Sequence, residues 1–286
     1  MNVTMRSSLE TDLHIRAEGA TLAGRIFHPA TAAEAAVVIH GAAGVPAGYY
    51  RAFARWLADT RSLAVLTYDY RDFAGSAAGH VRSARATMAD WGLRDQSAAL
   101  AALGLHLPGL PRWVIGHSLG GVWLGFHTAM AGVERVITVG SGLVHVTDHP
   151  MPFRLAARFV WHGPVPFLSR RLGYFPGAAL GVGADLPIGV YEDWRRWCLA
   201  RALHLSDLGE RLPLPDPHRV TARMRIVAVD DDAWVPKAAV WRMMALYPEA
   251  TKRQLVLRPK DFGLDGIGHL AAFHRRNSAL WPQLVD

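Results

Sequence analysis

A single cysteine, Cys198, rules out any disulfide within the chain and fits a reducing compartment. Lysine is nearly missing too: of 31 basic residues only Lys237, Lys252 and Lys260 are lysines. The arginines are scattered, with no basic run longer than a pair such as Arg170-Arg171 or Arg195-Arg196. The net charge of +7 thus comes without the concentrated stripe that polyanion binding needs, and no nucleic-acid partner is expected, although a field that modestly attracts anionic substrates stays open. No apolar run is long enough for a membrane span, and Met1 to Asp12 lacks the apolar core of a secretory signal. A soluble, cytoplasmic protein is expected. Neither a Gly-x-x-x-x-Gly-Lys loop nor a dinucleotide Gly-x-Gly-x-x-Gly occurs, so no cofactor is implied. His145 and His149 have helical i, i+4 spacing, but no glutamate stands between them and Pro150 follows directly, so no metal site is expected there.

What is present is apolar surface and alternation. With 51% apolar and 19% charged residues, the 286-residue chain can bury one large core. Short β-branched runs alternate with helical patterns: Ala36 to His40, an amphipathic stretch from Tyr49 to Leu57, Leu63 to Tyr68, a helix from Asp95 to Leu103, Trp113 to Gly116, a helix from Leu119 to Met130, then Val136 to Val139. Strand, helix, strand in strict order predicts crossovers and a mostly parallel, twisted sheet with helices on both faces. Leu13 to Phe27 reads as an antiparallel hairpin turning near Gly19. The rhythm breaks between about Ser141 and Val220, where Pro, Gly and aromatics mix with helix fragments such as Tyr191 to Leu203. It resumes with the strand Ile226 to Val229, a helix from Lys237 to Leu246, the strand Gln254 to Leu257 and a last helix from Leu270. The expected organisation is one α/β core, 1–140 and 221–286, with 141–220 inserted over the carboxyl ends of the strands, where ligands of open α/β sheets bind.

Gly116-His117-Ser118-Leu119-Gly120 matches Gly-x-Ser-x-Gly. Chance alone produces so short a pattern often; its setting, between an apolar strand and an apolar-faced helix, makes it specific. A serine on a sharp strand-to-helix turn is exposed and strained, and the glycines keep strand and helix from colliding. A Gly-rich turn with a passive serine is the bland alternative. A serine hydroxyl needs a base and a site for the developing oxyanion. The Leu119 N–H, just after the nucleophile, is one expected donor. The second should come from Gly41-Ala42-Ala43-Gly44, with Ala42 expected and Ala43 as the alternative.

These residues resemble the α/β-hydrolase superfamily, and the likeness extends over the whole chain. Tyr68-Asp69-Tyr70-Arg71-Asp72-Phe73-Ala74-Gly75-Ser76 is similar to the superfamily's Asp-x-Arg-Gly-x-Gly-x-Ser loop, departing at Asp72 and Ala74, where that loop usually has glycine. Gly116 to Gly121 is similar to its nucleophile segment. Within the superfamily the chain looks closest to the bacterial serine aminopeptidase-like group of predicted hydrolases. The resemblance implies an α/β-hydrolase fold with an inserted helical lid, and an acid after the seventh strand, four residues before a proline. In Asp230-Asp231-Asp232-Ala233-Trp234-Val235-Pro236, Asp232 has that spacing; Asp231 and a plain acidic turn are the alternatives. An order of Ser, Asp, His along the chain places the base at His269, with His274 as runner-up. His117 should point elsewhere on its turn, and His40 should shape the oxyanion loop. A serine at the elbow, rather than an aspartate, argues against haloalkane or epoxide chemistry.

The sequence thus leads to a serine hydrolase acting on an ester or thioester of a small apolar acyl group, with Ser118 as nucleophile, His269 as base and Asp232 orienting the histidine. Acyl transfer to another acceptor and cofactor-free perhydrolysis use the same machinery. A binding protein on a hydrolase fold that has lost turnover is the reading from a different class. Nine aromatics lie in the insertion: Phe153, Phe159, Trp161, Phe167, Tyr174, Phe175, Tyr191, Trp194 and Trp197. Of these Trp161, Trp194 and Trp197 are expected at the substrate. The partner is a small-molecule acyl substrate, and a homodimer stays open.

Overall fold

In a computed structural model, which describes residues 9–286, the chain folds around an eight-stranded sheet. The reading of Met1 to Asp12 therefore falls mostly outside the described residues. Strands β1 (Leu9–Ala17) and β2 (Ala20–His28) form the expected hairpin, and β2 pairs antiparallel with β4 (Leu63–Tyr68). From β4 onward every pairing is parallel, through β3 (Ala35–His40), β5 (Arg112–His117), β6 (Val133–Val139), β9 (Arg223–Val229) and β10 (Thr251–Leu257). The spatial order is β1-β2-β4-β3-β5-β6-β9-β10. All residues of β3 and β4 are buried, which is why they read as unbroken apolar runs: a central parallel strand is covered on both faces.

Alternation along β3 divides the core. Ala36 and Val38 pack with Trp91, Leu100 and Leu103 on the face covered by α3 (Gln96–His106). Val37 and Ile39 pack with Phe53, Leu57, Phe273 and Trp281 on the face covered by α1 (Arg51–Arg61) and α8 (Trp281–Val285). A short α2 (Met88–Asp90), capped by Thr87, leads into α3 through a π-turn at Trp91–Asp95. Between β6 and β9 lie α4 (Phe153–His162), α5 (Val165–Leu172), the two-residue strands β7 (Tyr174–Phe175) and β8 (Leu186–Pro187), and α6 (Ile188–Leu199). This segment is tied to the loop after β3 by the Ala184 N–H bonding the Gly44 carbonyl at 2.9 Å. Among the described residues no helix is long and apolar enough to cross a membrane.

Three expected helices are less regular than their patterns. The stretch from Leu119 to Met130 is three 3-10 turns, Ser118–Gly121, Leu124–Phe126 and Thr128–Met130. Glycine at 120, 121 and 125 removes helix propensity, and the extended backbone at His127, whose Nε2 bonds the Gly92 carbonyl at 2.8 Å, interrupts the rest. After Leu270 the chain forms turns at Ala271–Phe273 and Arg275–Leu280, broken by an extended His274, before α8 begins. The helix from Lys237 keeps α geometry only to Arg242 (α7) and tightens at Met243–Leu246.

Candidate active site

Ser118 follows β5 directly and has φ of 53°, a left-handed conformation that strains a residue with a Cβ. The turn can be this sharp only because the residues two positions either side of it, Gly116 and Gly120, lack side chains. A Cβ on Gly116 would lie 2.5 Å from the Gly120 carbonyl oxygen, and one on Gly120 would collide with the His40 carbonyl. The serine Oγ is 2.9 Å from His269 Nε2, and His269 Nδ1 is 2.8 Å from Asp232 Oδ2. A carboxylate beside Nδ1 selects the tautomer with its proton there, leaving Nε2 free to accept from the serine hydroxyl. The Asp232 side chain is fully buried, and its other oxygen accepts the Trp234 and Val235 N–H groups at 2.8 and 2.9 Å.

The three successive aspartates do different things. Asp230 pairs with Lys237 at the surface. Asp231 accepts the backbone N–H groups of Ile267 (2.9 Å) and Gly268 (3.0 Å), so it holds the loop just before His269 and does not reach the ring. His274, the alternative base, bonds its own turn at Arg276 N and lies against Tyr49. His145 bonds Thr147 and His149 bonds the Ala233 carbonyl, so the two point to different partners.

The oxyanion loop corrects one expectation. The Ala42 N–H donates to the Tyr50 hydroxyl at 2.9 Å, and Ala42 is buried away from the cavity beside Ser118. Its N–H is therefore occupied, whereas Ala43, the alternative, lines the cavity with Ser118 and Leu119. Leu119 is the second residue of the 3-10 turn Ser118–Gly121, whose first N–H groups have no partner within the turn. Tyr50 is itself part of a relay: its hydroxyl is 2.7 Å from His117 Nδ1, and His117 Nε2 is 2.9 Å from the His269 carbonyl. Burial, with a smaller push from His269, lowers His117 to about 3, so the ring is neutral and donates from Nε2 to that carbonyl. Nδ1 then accepts from Tyr50, whose oxygen accepts from Ala42. Two side chains, Tyr50 and His117, thus link the loop after β3 to the backbone of the candidate base. His117 does point away from Ser118, and His40 sits beneath the loop, bonded through Nδ1 to Tyr68 at 2.8 Å. Sequence offered no signal for Tyr50, which reads only as one apolar position of an amphipathic helix.

In the loop after β4 the two departures from glycine adopt the backbone that glycine favours. Asp72 and Ala74 both adopt positive φ, 56° and 45°. The Asp72 carboxylate accepts the Arg85 and Ala86 N–H groups at 2.8 and 2.9 Å, which offsets part of the strain. Asp69 holds the loop against Ala47 N at 2.7 Å, and Arg71 pairs with buried Asp95 at 2.7 Å.

Beside Ser118 is a cavity of about 110 Å³ whose walls include Trp161, Trp194 and Trp197 and also Trp123 and Trp234. Trp123 follows the turn at Ser118 and Trp234 follows Asp232, both outside residues 141–220. Their signal was adjacency to the motifs themselves. Phe175 instead stacks on Tyr191 within the insertion's own core, while Phe159 and Phe167 are exposed. Among the described residues no carboxylate or arginine lines the cavity; its histidines besides His269 are His149, lowered by burial, and His204, lowered by burial to about 4. The surface offered to a ligand is neutral and aromatic.

Buried neutral histidines make stability depend on pH. Burial lowers His117 to about 3 and both His127 and His204 to about 4, while an unfolded histidine titrates near 6.5. Below about 6.5 the unfolded chain takes up protons that the fold refuses. Stability is thus full above that pH and falls as pH drops towards 4, by up to about 4 kcal/mol per unit if all three act together. The melting temperature should fall steeply between pH 6 and 4.5. A Tm that stays level across that range would show that these rings are not held neutral.

The model of a family described as the alpha/beta hydrolase family matches residues 36–279. Among curated proteins none matches the sequence. Solved structures that resemble it include a soluble variant of monoglyceride lipase from Saccharomyces cerevisiae (TM-score 0.64, 13% identity, 99% of this chain and 97% of that one). Others are a thermophilic esterase from Thermogutta terrifontis (0.54, 17%, 96% and 96%) and a Pyrococcus furiosus esterase (0.57, 13%, 97% and 88%). At such identities these likenesses speak for the fold.

Proposed function

Since the chain belongs to the alpha/beta hydrolase family, we propose that it is a serine hydrolase cleaving an ester or thioester of a small apolar acyl group through an acyl-enzyme. The observation that carries this reading is the continuous hydrogen-bonded series Ser118, His269, Asp232 opening on an apolar cavity. Ser118 Oγ attacks the acyl carbonyl as its proton passes to His269 Nε2. The Asp232 carboxylate stabilises the imidazolium, and the Leu119 and Ala43 N–H groups receive the oxyanion. Collapse breaks the bond to the alcohol or thiol, which leaves with the proton from His269. Water then repeats the sequence on the acyl-serine and returns the free acid. The segment 141–220 serves as the lid, with Trp161, Trp194 and Trp197 turned to the acyl group, Trp123 packed against Trp197 and Trp234 stacked on Trp194. The likeness to proteins named as esterases and a lipase accords with an ester substrate.

The cavity sets the acyl size. An apolar cavity of about 150 Å³ holds a benzene ring, so one of about 110 Å³ suits a chain of a few carbons. Each buried methylene contributes about 0.8 kcal/mol, or about fourfold in kcat/KM, until the space is full. Along a series of p-nitrophenyl esters, kcat/KM should climb from acetate to a maximum near four to six carbons and fall for long chains. A flat series, or a maximum at acetate, would mean that the tryptophans pack only against one another.

A further inference from the structure

Nine large apolar side chains are conspicuously exposed on the described chain, and five of them, Met151, Leu155, Phe159, Phe167 and Leu168, fall within eighteen consecutive positions on or beside α4 and α5. Phe167 is 69% exposed. Leu155 and Phe159 are four apart on α4 and so share its outer face, while Ala157, Val160 and Trp161 occupy the buried one. Chance scatter of surface leucines does not produce such a concentration, and exposed apolar area of this kind marks a contact surface.

The charge around it selects the partner. Between Asp148 and Asp185 the sequence has no acidic residue, yet it has Arg154, Arg158, Arg170 and Arg171. Arg170 is matched by Glu192 at 2.7 Å, and Arg154 bonds the His149 carbonyl. Arg158 and Arg171 are exposed and have no ion-pair partner among the described residues. Apolar side chains interleaved with arginine on the outward side of an amphipathic helix suit a surface that is oily within and negative at its rim. A second copy of this chain does not meet that requirement, because a two-fold contact would set each arginine-bearing face against its own equal.

We propose that the outer face of α4 and α5 seats on an anionic lipid surface. Apolar side chains enter the headgroup boundary, and Arg158 and Arg171 meet the lipid phosphates. The same helix turns Trp161, on its buried face, into the cavity beside Ser118. The proposal does not depend on the reaction Ser118 performs.

Co-sedimentation of the purified full chain with phosphatidylcholine vesicles, with and without phosphatidylglycerol, tests it. Binding is expected to the mixed vesicles and to weaken with salt. Arg158→Ser with Arg171→Ser should weaken it about 30-fold. Phe159→Ser with Phe167→Ser should weaken it about tenfold or more. Hydrolysis of a soluble ester should be unchanged in both, since none of the four residues lines the cavity. Absence of binding by the unaltered protein, equal binding to neutral vesicles, or variants that bind as well as it does would overturn the proposal. So would a dimer that the phenylalanine pair converts to monomer, since a second copy would then cover the face.

Discussion

Replacing Asp232 by Asn should lower kcat by about 10⁴ while leaving the fold intact. The reason lies in how both carboxylate oxygens are used. One accepts the Trp234 and Val235 N–H groups, so the amide oxygen of an asparagine would stay there. The NH₂ would then face His269 Nδ1, where the carboxylate oxygen now stands at 2.8 Å. A donor at that position forces the proton of the neutral ring onto Nε2, which can then no longer accept from Ser118. Asp231→Asn removes only one of two backbone bonds in the 267–268 segment and leaves the ring's partner in place, so it should cost about tenfold or less. Steady-state kinetics of the two variants, with circular dichroism as a check on folding, separates them. A larger loss in Asp231→Asn would transfer the orienting role to that residue.

The arrangement behind this contrast was partly legible in the sequence. Buried parallel strands announce themselves as unbroken apolar runs, and a Gly-x-Ser-x-Gly between a strand and a turn has few other uses, so the fold class and Ser118 could be read directly. Asp232 was picked out by the spacing that the family resemblance implies, and His269 by the order Ser, Asp, His along the chain. Ala42 shows what such reading misses. The Ala42 amide is taken by a hydroxyl eight residues on, Tyr50, which is bonded to His117 and packed against Phe273. That is a tertiary fact with no local pattern. The segment after Ser118 carries apolar residues at helical spacing, yet close approach at Gly120 and a buried, extended His127 break it into turns. Burial periodicity reports which side chains face inward and leaves the backbone geometry open. At Asp72 and Ala74 the backbone keeps a conformation that glycine would favour, because hydrogen bonds from Arg85 and Ala86 and the surrounding loop hold it there.

The central claim is that Ser118 is a base-activated nucleophile. Only a serine whose proton can pass to an imidazole 2.9 Å away, beside N–H groups ready for an oxyanion, reacts rapidly with a fluorophosphonate. Treatment of the protein with such a probe, followed by peptide mapping, should give a single adduct on Ser118. The adduct should vanish in Ser118→Ala, together with esterase activity reduced by about 10⁶-fold in kcat. An adduct that persists in Ser118→Ala, or ester hydrolysis undiminished by that substitution, would contradict the account.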